Sequence, residues 1–379
     1  MGKRKAKSSN IELVSEIGSG TKHSLYNGDN LAVMTEIKAS LLGKVDLQYI
    51  DPPYNTGKKM GKYNDNYSSH KEWADFMKPR LDLSKDCMSG SGTIWISIGE
   101  DEEAHLKILC NDIFGEKNKV ASIIWQSKYT VSNDKSGIST QTEYILVYAK
   151  DIKKIKLNND PLREEYVKTM YKNIDNDPEG PWRGGVQLYK KKNPHSYTVV
   201  SPTGKEWTMP WNYSEAQWYD ELVAKKLIYW GKDGDKCPVK KVYLKNTKGI
   251  AVKNLWLGDE VGYTADGGNT LENMFGDRNE FLYPKPVSLM KRILQVASQP
   301  DSTVMDFFAG SGTMGQAVLE YNHDDGGTRK SILITNNENN ICDGVSFPRL
   351  QKVIEGYTGE DKKDYLATGG KLSYYKHKG

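Results

Sequence analysis

Asp51, Pro52, Pro53 and Tyr54 stand directly after the apolar run Val45–Ile50, and their types suit the holding of an amino group attached to a flat ring. A carboxylate can accept one N–H of such a group, a proline carbonyl the other, while a tyrosine stacks on the ring itself. Prolines cannot continue a strand ladder, so Asp51 is expected at the carboxyl end of a strand, the edge where open α/β sheets bind ligands. Taken alone, Asp-Pro-Pro also serves as a plain strand-ending turn.

A second constellation lies far along the chain. Residues 302–307 read as a buried strand, Gly310-Ser311-Gly312 as a tight turn, and residues 313–321 as a helix. Glycines let backbone approach a ligand there, and the start of the helix favours negative charge. A third apolar run, residues 331–335, ends at Asn336-Asn337-Glu338, which puts an acid where dinucleotide folds bind ribose hydroxyls. No Gly-Lys-Ser/Thr follows the loop, which argues against a nucleotide-phosphate site. Gly310, Gly312 and Gly315 come near Gly-x-Gly-x-x-Gly, so from this loop alone a dehydrogenase stays open.

Asp-Pro-Pro-Tyr combined with Phe308-Ala309-Gly310-Ser311-Gly312 resembles the signature of amino-group DNA methyltransferases that use S-adenosylmethionine. The motif order, catalytic first and glycine loop last, is similar to that of the beta class. Asn27-Gly28-Asp29-Asn30, Trp73 to Phe76 with Arg80 and Leu81, residues 92–98, Ile113-Phe114-Gly115 and Tyr283-Pro284-Lys285-Pro286 resemble further family segments. The likeness is nearest to modification subunits of type III restriction systems and related adenine methyltransferases. It covers most of residues 11–150 and 255–355 and is weak between them. Trp73, Phe76 and Leu81, at helical spacing, are core candidates in any reading.

The resemblance implies an α/β, Rossmann-like S-adenosylmethionine-dependent methyltransferase with circularly permuted motifs and a small inserted target-recognition domain. It implies catalytic roles for Asp51, Pro52, Pro53 and Tyr54. It also implies cofactor contacts from Asp29, Asp51, Lys285, Ser288, Asp306, Phe308, Ala309, Gly310, Ser311, Gly312, Thr313 and Glu338, with Lys285 and Ser288 near the methionine carboxylate. Gly28-Asp29-Asn30 also reads as a capped turn, and Lys285 as an ordinary surface lysine. The organisation expected is a basic arm (1–10), a catalytic half (11–150), the insert (151–255), a cofactor half (256–355) and a C-terminal tail (356–379) with no assigned function.

Composition agrees with this organisation. At 379 residues the chain can bury one large core plus an insert. Neither a signal peptide nor an apolar run of membrane-spanning length is visible, so a cytoplasmic protein of a bacterial or phage-infected cell is expected. Cys87, Cys110, Cys237 and Cys342 are scattered, so no disulfide framework and no metal centre are expected. Formal net charge is only +4, and a nucleic-acid surface must come from local clustering. Residues 151–255 hold 20 Lys and Arg against 13 Asp and Glu. Lys190, Lys191, Lys192, Lys240 and Lys241 are the candidates for DNA phosphates. Trp182, Tyr189, Tyr197, Trp207, Trp211, Trp218, Tyr229 and Trp230 interleave with them, as DNA-facing rings or as a small core. Residues 215–226 read as a helix with Trp218, Leu222 and Leu227 inward, and 240–244 as a strand.

The chemistry implied is a direct methyl transfer to an exocyclic amine, with no covalent base adduct. The target base must be flipped from the duplex and stacked, with Tyr54 the leading platform and Tyr129 or Tyr144 a second. Adenine N6 is the leading target and cytosine N4 the alternative. A catalytically silent specificity subunit is the alternative of another class. Double-stranded DNA is the expected partner, and a homodimer and a restriction subunit remain open. The chain is shorter than typical type III modification subunits, which favours a solitary or phage-type enzyme.

Overall fold

The computed structural model describes residues 10–57, 59–60, 63–131, 137–186, 188–189, 196–276 and 283–378. Two compact units account for the chain: Met1–Asn158 with Lys253–Gly379, and Asn159–Val252.

The larger unit is built on a ten-stranded sheet. In chain order its strands are β1 (Ile11–Ser19), β2 (Lys22–Asn27), β3 (Val45–Ile50), β4 (Met88–Ile98), β5 (Lys119–Gln126), β6 (Thr142–Ala149), β7 (Leu255–Trp256), β8 (Thr303–Asp306), β9 (Lys330–Thr335) and β10 (Gly370–His377). In space the order is β1-β10-β2-β9-β8-β3-β4-β6-β5-β7. From β10 through β4 all pairings are parallel, whereas β6 runs antiparallel to both β4 and β5. The central parallel strands are near-continuous apolar runs because both of their faces are covered.

Strand periodicity decides which side each residue serves. Ile50, Ile94, Ile96, Met305 and Ile334 join one core cluster with Val33, Met34, Trp73, Met77 and Leu81. The last five come from α1 (Asn30–Leu41) and α2 (His70–Cys87), and α3 (Glu100–Cys110) completes that layer. The neighbours Tyr49, Trp95, Val304 and Leu333 are buried as well but point to the other face. That face is covered by α6 (Thr313–Asp325), whose Gly315 leaves no room for a β-carbon against Leu333 and Leu350. Alongside α6 pack α5 (Val287–Ala297) and α7 (Phe347–Glu355); α4 (Thr264–Phe275) precedes them in the chain. The third glycine of the loop motif thus serves helix-to-sheet packing.

The C-terminal residues depart from expectation. Within the segment read as a tail of no assigned function, β10 inserts between β1 and β2, parallel to β2 and antiparallel to β1. Its charged composition hides the strand, while Leu372 and Tyr374 on one face are buried. Pairing partners near the other end of the chain supply the order that local sequence does not.

The smaller unit has a three-stranded sheet of residues 182–186, 228–229 and 239–243, and a hairpin of 196–200 with 206–210. Its core holds Leu188, Val199, Trp211, Trp218 and Leu222, with Tyr197, Trp207 and Trp230 packed against them. Most of the interleaved rings are therefore core. The helix expected over 215–226 is one α turn followed by a π-helical turn, Trp218–Val223, with Trp218 and Leu222 inward as read.

Candidate active site

Asp51 directly follows β3 and Asp306 ends β8, and the two strands are in register, Leu47 opposite Val304 and Gln48 opposite Met305. The two motifs therefore face one cavity of about 370 Å³ at the carboxyl edge of the parallel strands, lined among others by Asp29, Asp51, Tyr54, Lys285, Phe308 and Glu338. A carboxylate and a glycine loop on adjacent strands form one site.

The Asp51-Tyr54 turn is held from behind. Trp73 of α2 donates its indole N–H to the Pro53 carbonyl at 2.7 Å. Among the described residues the Pro52 carbonyl has no such partner, which makes it the acceptor left for a ligand. Beyond the turn, Asp65 accepts from the backbone N–H groups of Asn55 and Thr56 at 2.7 and 3.1 Å, and Asn55 adopts a left-handed conformation (φ 55°).

Behind Asp51 lies a charge cluster centred on the buried Lys285. Lys285 Nζ stands 3.0 Å from Asp51 Oδ1 and 3.3 Å from Glu143 Oε2, while the Tyr54 hydroxyl donates to Glu143 at 2.9 Å. The ammonium also lies 5.0 Å from the Tyr54 ring centre and 5.8 Å from that of Trp125. Burial pushes the Asp51 carboxyl above its ordinary value, with Lys285 opposing the shift and Glu143 adding to it. Burial alone would lower Lys285, but Asp51 and Glu143 outweigh it and hold the amine above an ordinary lysine. Burial, then Asp51 and Glu143, drives Tyr54 well above the usual phenol range. The tyrosine stays a neutral ring.

The glycine loop has its own anchor. Gly310 and Gly312 both take positive φ, 49° and 80°, which lets the chain fold back at the start of α6. Arg349, fully buried on α7, donates to the Ser311 hydroxyl at 3.0 Å, the Thr313 hydroxyl at 2.9 Å and Gln316 at 2.6 Å. Burial lowers its guanidinium to about 10, still charged at neutral pH. Asp306 accepts the Phe308 N–H at 3.0 Å, and burial raises its carboxyl well above the ordinary range despite that bond.

On the far wall Asp29 caps α1 through the Ala32 N–H at 3.0 Å and pairs with Arg80 Nη2 at 3.0 Å. Arg80 also donates to Asn30 at 2.6 Å and lies 3.7 Å over the Phe76 ring. Asp29 is thus both the cap and a cavity-lining acid.

Asp29, Asp51, Pro52, Pro53, Tyr54, Lys285, Asp306, Phe308, Ala309, Gly310, Ser311, Thr313 and Glu338 all line the cavity. Gly312 shapes the loop behind them. Ser288 is a correction: its hydroxyl donates to the Val261 carbonyl at 2.7 Å, and it is absent from the cavity wall. Lys285 lines the cavity, but paired with Asp51 and Glu143 rather than free for a carboxylate ligand. Neither Tyr129 nor Tyr144 belongs to the lining; Tyr129 is exposed and meets Tyr263 edge-on. Glu143 and Arg349 went unnoticed in the sequence, and Arg80 was read only as part of a family-like segment, because their partners are set only by folding. Among the described residues, no helix is long and apolar enough to cross a membrane.

In the smaller unit Lys190, Lys191 and Lys192 lie outside the described residues. Lys240 donates to the Tyr213 hydroxyl at 2.8 Å. Lys241 is a further correction: it is buried and paired with Asp175 and Asp177, so its charge is internal rather than offered to phosphate.

The DNA methylase family model matches residues 45–343, spanning the Asp51–Tyr54 turn and the glycine loop. The chain belongs to the N6/N4 DNA methylase family. It is 38% identical over 346 residues to the StyLTI Mod subunit of a type III restriction-modification enzyme from Salmonella typhimurium, covering 83% of this chain and 52% of that one. It is 33% identical over 343 residues to the type II methyltransferase M.KpnI of Klebsiella pneumoniae, covering 84% and 81%. The chain spans about half the length of the Mod subunits it matches. Among solved structures, the cytosine-N4-specific PvuII DNA methyltransferase shares 13% identity over 88% of this chain and 92% of its own, with a TM-score of 0.45.

The cavity's donors fit S-adenosylmethionine. Glu338, after β9, suits ribose hydroxyls. Phe308 offers an apolar ring, the glycine loop offers close backbone, and the acids Asp29 and Asp51 suit a ligand bearing ammonium and sulfonium charge.

Proposed function

We propose that this family member is a site-specific DNA adenine-N6 methyltransferase that uses S-adenosylmethionine. The observation that carries the reading is the shared cavity of Asp51 and the glycine loop on neighbouring parallel strands. Bound there, S-adenosylmethionine supplies an electrophilic methyl group on a sulfonium.

The residues supply position and polarity. An exocyclic amine is a poor nucleophile because its lone pair is delocalised into the ring. Donation of its two N–H bonds to Asp51 and the Pro52 carbonyl favours the pyramidal geometry in which the lone pair can attack. Tyr54, neutral and fixed by Glu143, stacks on the flipped base. Trp73, by occupying the Pro53 carbonyl, directs the amine to Pro52. In-line placement of amine and methyl group is the main source of rate. The proton is released after attack, to Asp51 or to water.

Double-stranded DNA is the proposed substrate, and Asn159–Val252 the proposed target-recognition unit, supported by its basic composition and its place between the two motifs. The relatives named as Mod subunits support a restriction subunit as a proposed partner, and a homodimer is the proposed assembly. Co-purification with a candidate restriction subunit and light scattering check these.

The decisive experiment incubates purified protein with labelled S-adenosylmethionine and DNA, then digests the DNA to nucleosides. N6-methyladenine is expected, absent with Asp51→Ala. N4-methylcytosine alone would assign the other base, and cofactor binding with no transfer to any tested DNA would favour a silent specificity subunit.

A further inference from the structure

Next to the catalytic turn, outside the cavity lining, lies a cluster that the proposed chemistry does not use. His70 is the first residue of α2, and Glu102 and His105 are three apart on α3, a spacing that puts both on one helix face. The imidazoles of His70 and His105 stack with centroids 4.0 Å apart and planes 18° from parallel. His70 Nδ1 lies 2.7 Å from Glu102 Oε1. Both rings are exposed to solvent, while Glu102 is completely buried beneath them.

Glu102 is the odd member. Its Oε1 receives His70 and the Asn55 amide, the latter at 2.7 Å. Its Oε2, equally buried, has no hydrogen-bond partner among the described residues. A buried carboxylate oxygen without a partner is costly, and native proteins rarely leave one so. No lysine or arginine pairs with this carboxylate among the described ion pairs.

We propose that His70, Glu102 and His105 form a binding site for a divalent transition metal of the zinc class. One ligand atom from each residue lies within 4.8 Å of the other two. A tetrahedral zinc site needs ligand atoms roughly 3.4 Å apart, which the two exposed rings reach by turning about their side-chain bonds. Two imidazole nitrogens and one carboxylate select zinc, cobalt, nickel or copper over magnesium or calcium, which require mostly oxygen. The three protein ligands leave a fourth position to solvent water, the arrangement of an open site.

The site is coupled to the catalytic turn through one hydrogen bond. Asn55 follows Tyr54 directly, and its side chain donates to the same Glu102 oxygen that faces His70. Asn55 is therefore an outer-shell residue of the metal, in the position where such residues orient a ligating carboxylate. Bound metal would fix Glu102 and, through it, the left-handed backbone of Asn55 that ends the turn.

The test uses full-length, tag-free protein stripped with chelator. Titration with Zn²⁺ by calorimetry should give one strong site, and Co²⁺ should give visible bands of a nitrogen and oxygen ligand set without a thiolate charge-transfer band. Both His70→Ala and His105→Ala should weaken Zn²⁺ binding more than roughly tenfold; His105→Ala, at an exposed position, should leave the metal-free melting temperature unchanged, whereas His70→Ala also removes a partner of Glu102 and should lower it. Glu102→Gln, isosteric, should also weaken it. Unchanged binding in both histidine variants would overturn the proposal, as would no binding by the wild type. A thiolate band abolished by Cys237→Ser, the one half-buried cysteine, would overturn it too. None of these readouts depends on methyl transfer.

Discussion

Lys285 Nζ lies 3.0 Å from Asp51 Oδ1, with the lysine buried and the carboxylate half-buried at the cavity wall. A lysine from the segment before the glycine loop thus supports the carboxylate of the catalytic turn. The pairing sets the charge of the residue proposed to receive the amine.

Removing that ammonium should change the pH dependence of methylation. Burial already raises Asp51, and Lys285 opposes the rise by favouring the carboxylate. Lys285→Met removes the opposing charge, so Asp51 will take its proton at a higher pH. The acid limb of the kcat profile should move upward, with activity falling off sooner as pH is lowered. An unmoved limb would show that Asp51 does not govern it.

Glu143→Ala should separate binding from turnover. The Tyr54 hydroxyl and Lys285 both lose a partly buried acceptor, at a stability cost of about 1–3 kcal/mol. Chemical denaturation should register that loss. Turnover should fall while the dissociation constant for S-adenosylmethionine stays near that of the wild type, because Glu143 does not line the cavity.

Arg349→Met should act on the cofactor side. It deletes the charged donor that ties Ser311, Thr313 and Gln316 together, and hydrogen bonds to charged groups contribute about 1.5–3 kcal/mol each. Calorimetry should report S-adenosylmethionine affinity reduced by roughly tenfold, about 1.4 kcal/mol. The melting temperature should fall as well. Full affinity in the variant would show that the loop holds its shape unaided.

Lys241→Met should destabilise the smaller unit, since Asp175 and Asp177 lose a buried partner, a loss of about 3–5 kcal/mol. Asp177 is held down to about 2, first by Lys241 and then by Tyr243. A depressed carboxyl stabilises the fold above its unfolded value and loses that contribution as pH falls toward its folded one. The gap between wild type and variant should therefore be full near neutrality and narrow as pH drops from about 4 toward 2. A gap independent of pH would remove Asp177 from the account.

The parts legible in the sequence were those whose chemistry is local. Asp51 to Tyr54 could be placed at a strand end because two prolines stop the ladder they follow, and the glycine loop because its turn needs positive φ. Ser288 misled because its neighbour Lys285 does line the cavity, whereas one helical turn later the hydroxyl meets the Val261 carbonyl. Lys241 misled because a lysine's charge says nothing about what faces it; here Asp175 and Asp177 do. β10 was missed because its order comes from β1 and β2.

By itself, the sequence determined which groups exist and where short-range geometry puts them: a carboxylate, two prolines and a ring at one strand end, and a glycine turn at another. Those are consequences of backbone dihedrals and side-chain type, which act over a few residues. Only the tertiary structure decided that β3 and β8 are neighbours, that Lys285 and Glu143 flank Asp51, and that among the described residues the Pro53 carbonyl is occupied while that of Pro52 is not. Those relations depend on hydrogen bonds and charges meeting between residues 20 apart, as Trp73 and Pro53, to more than two hundred apart, as Asp51 and Lys285, and the burial that gives them their strength exists only once the sheet and its helices have packed.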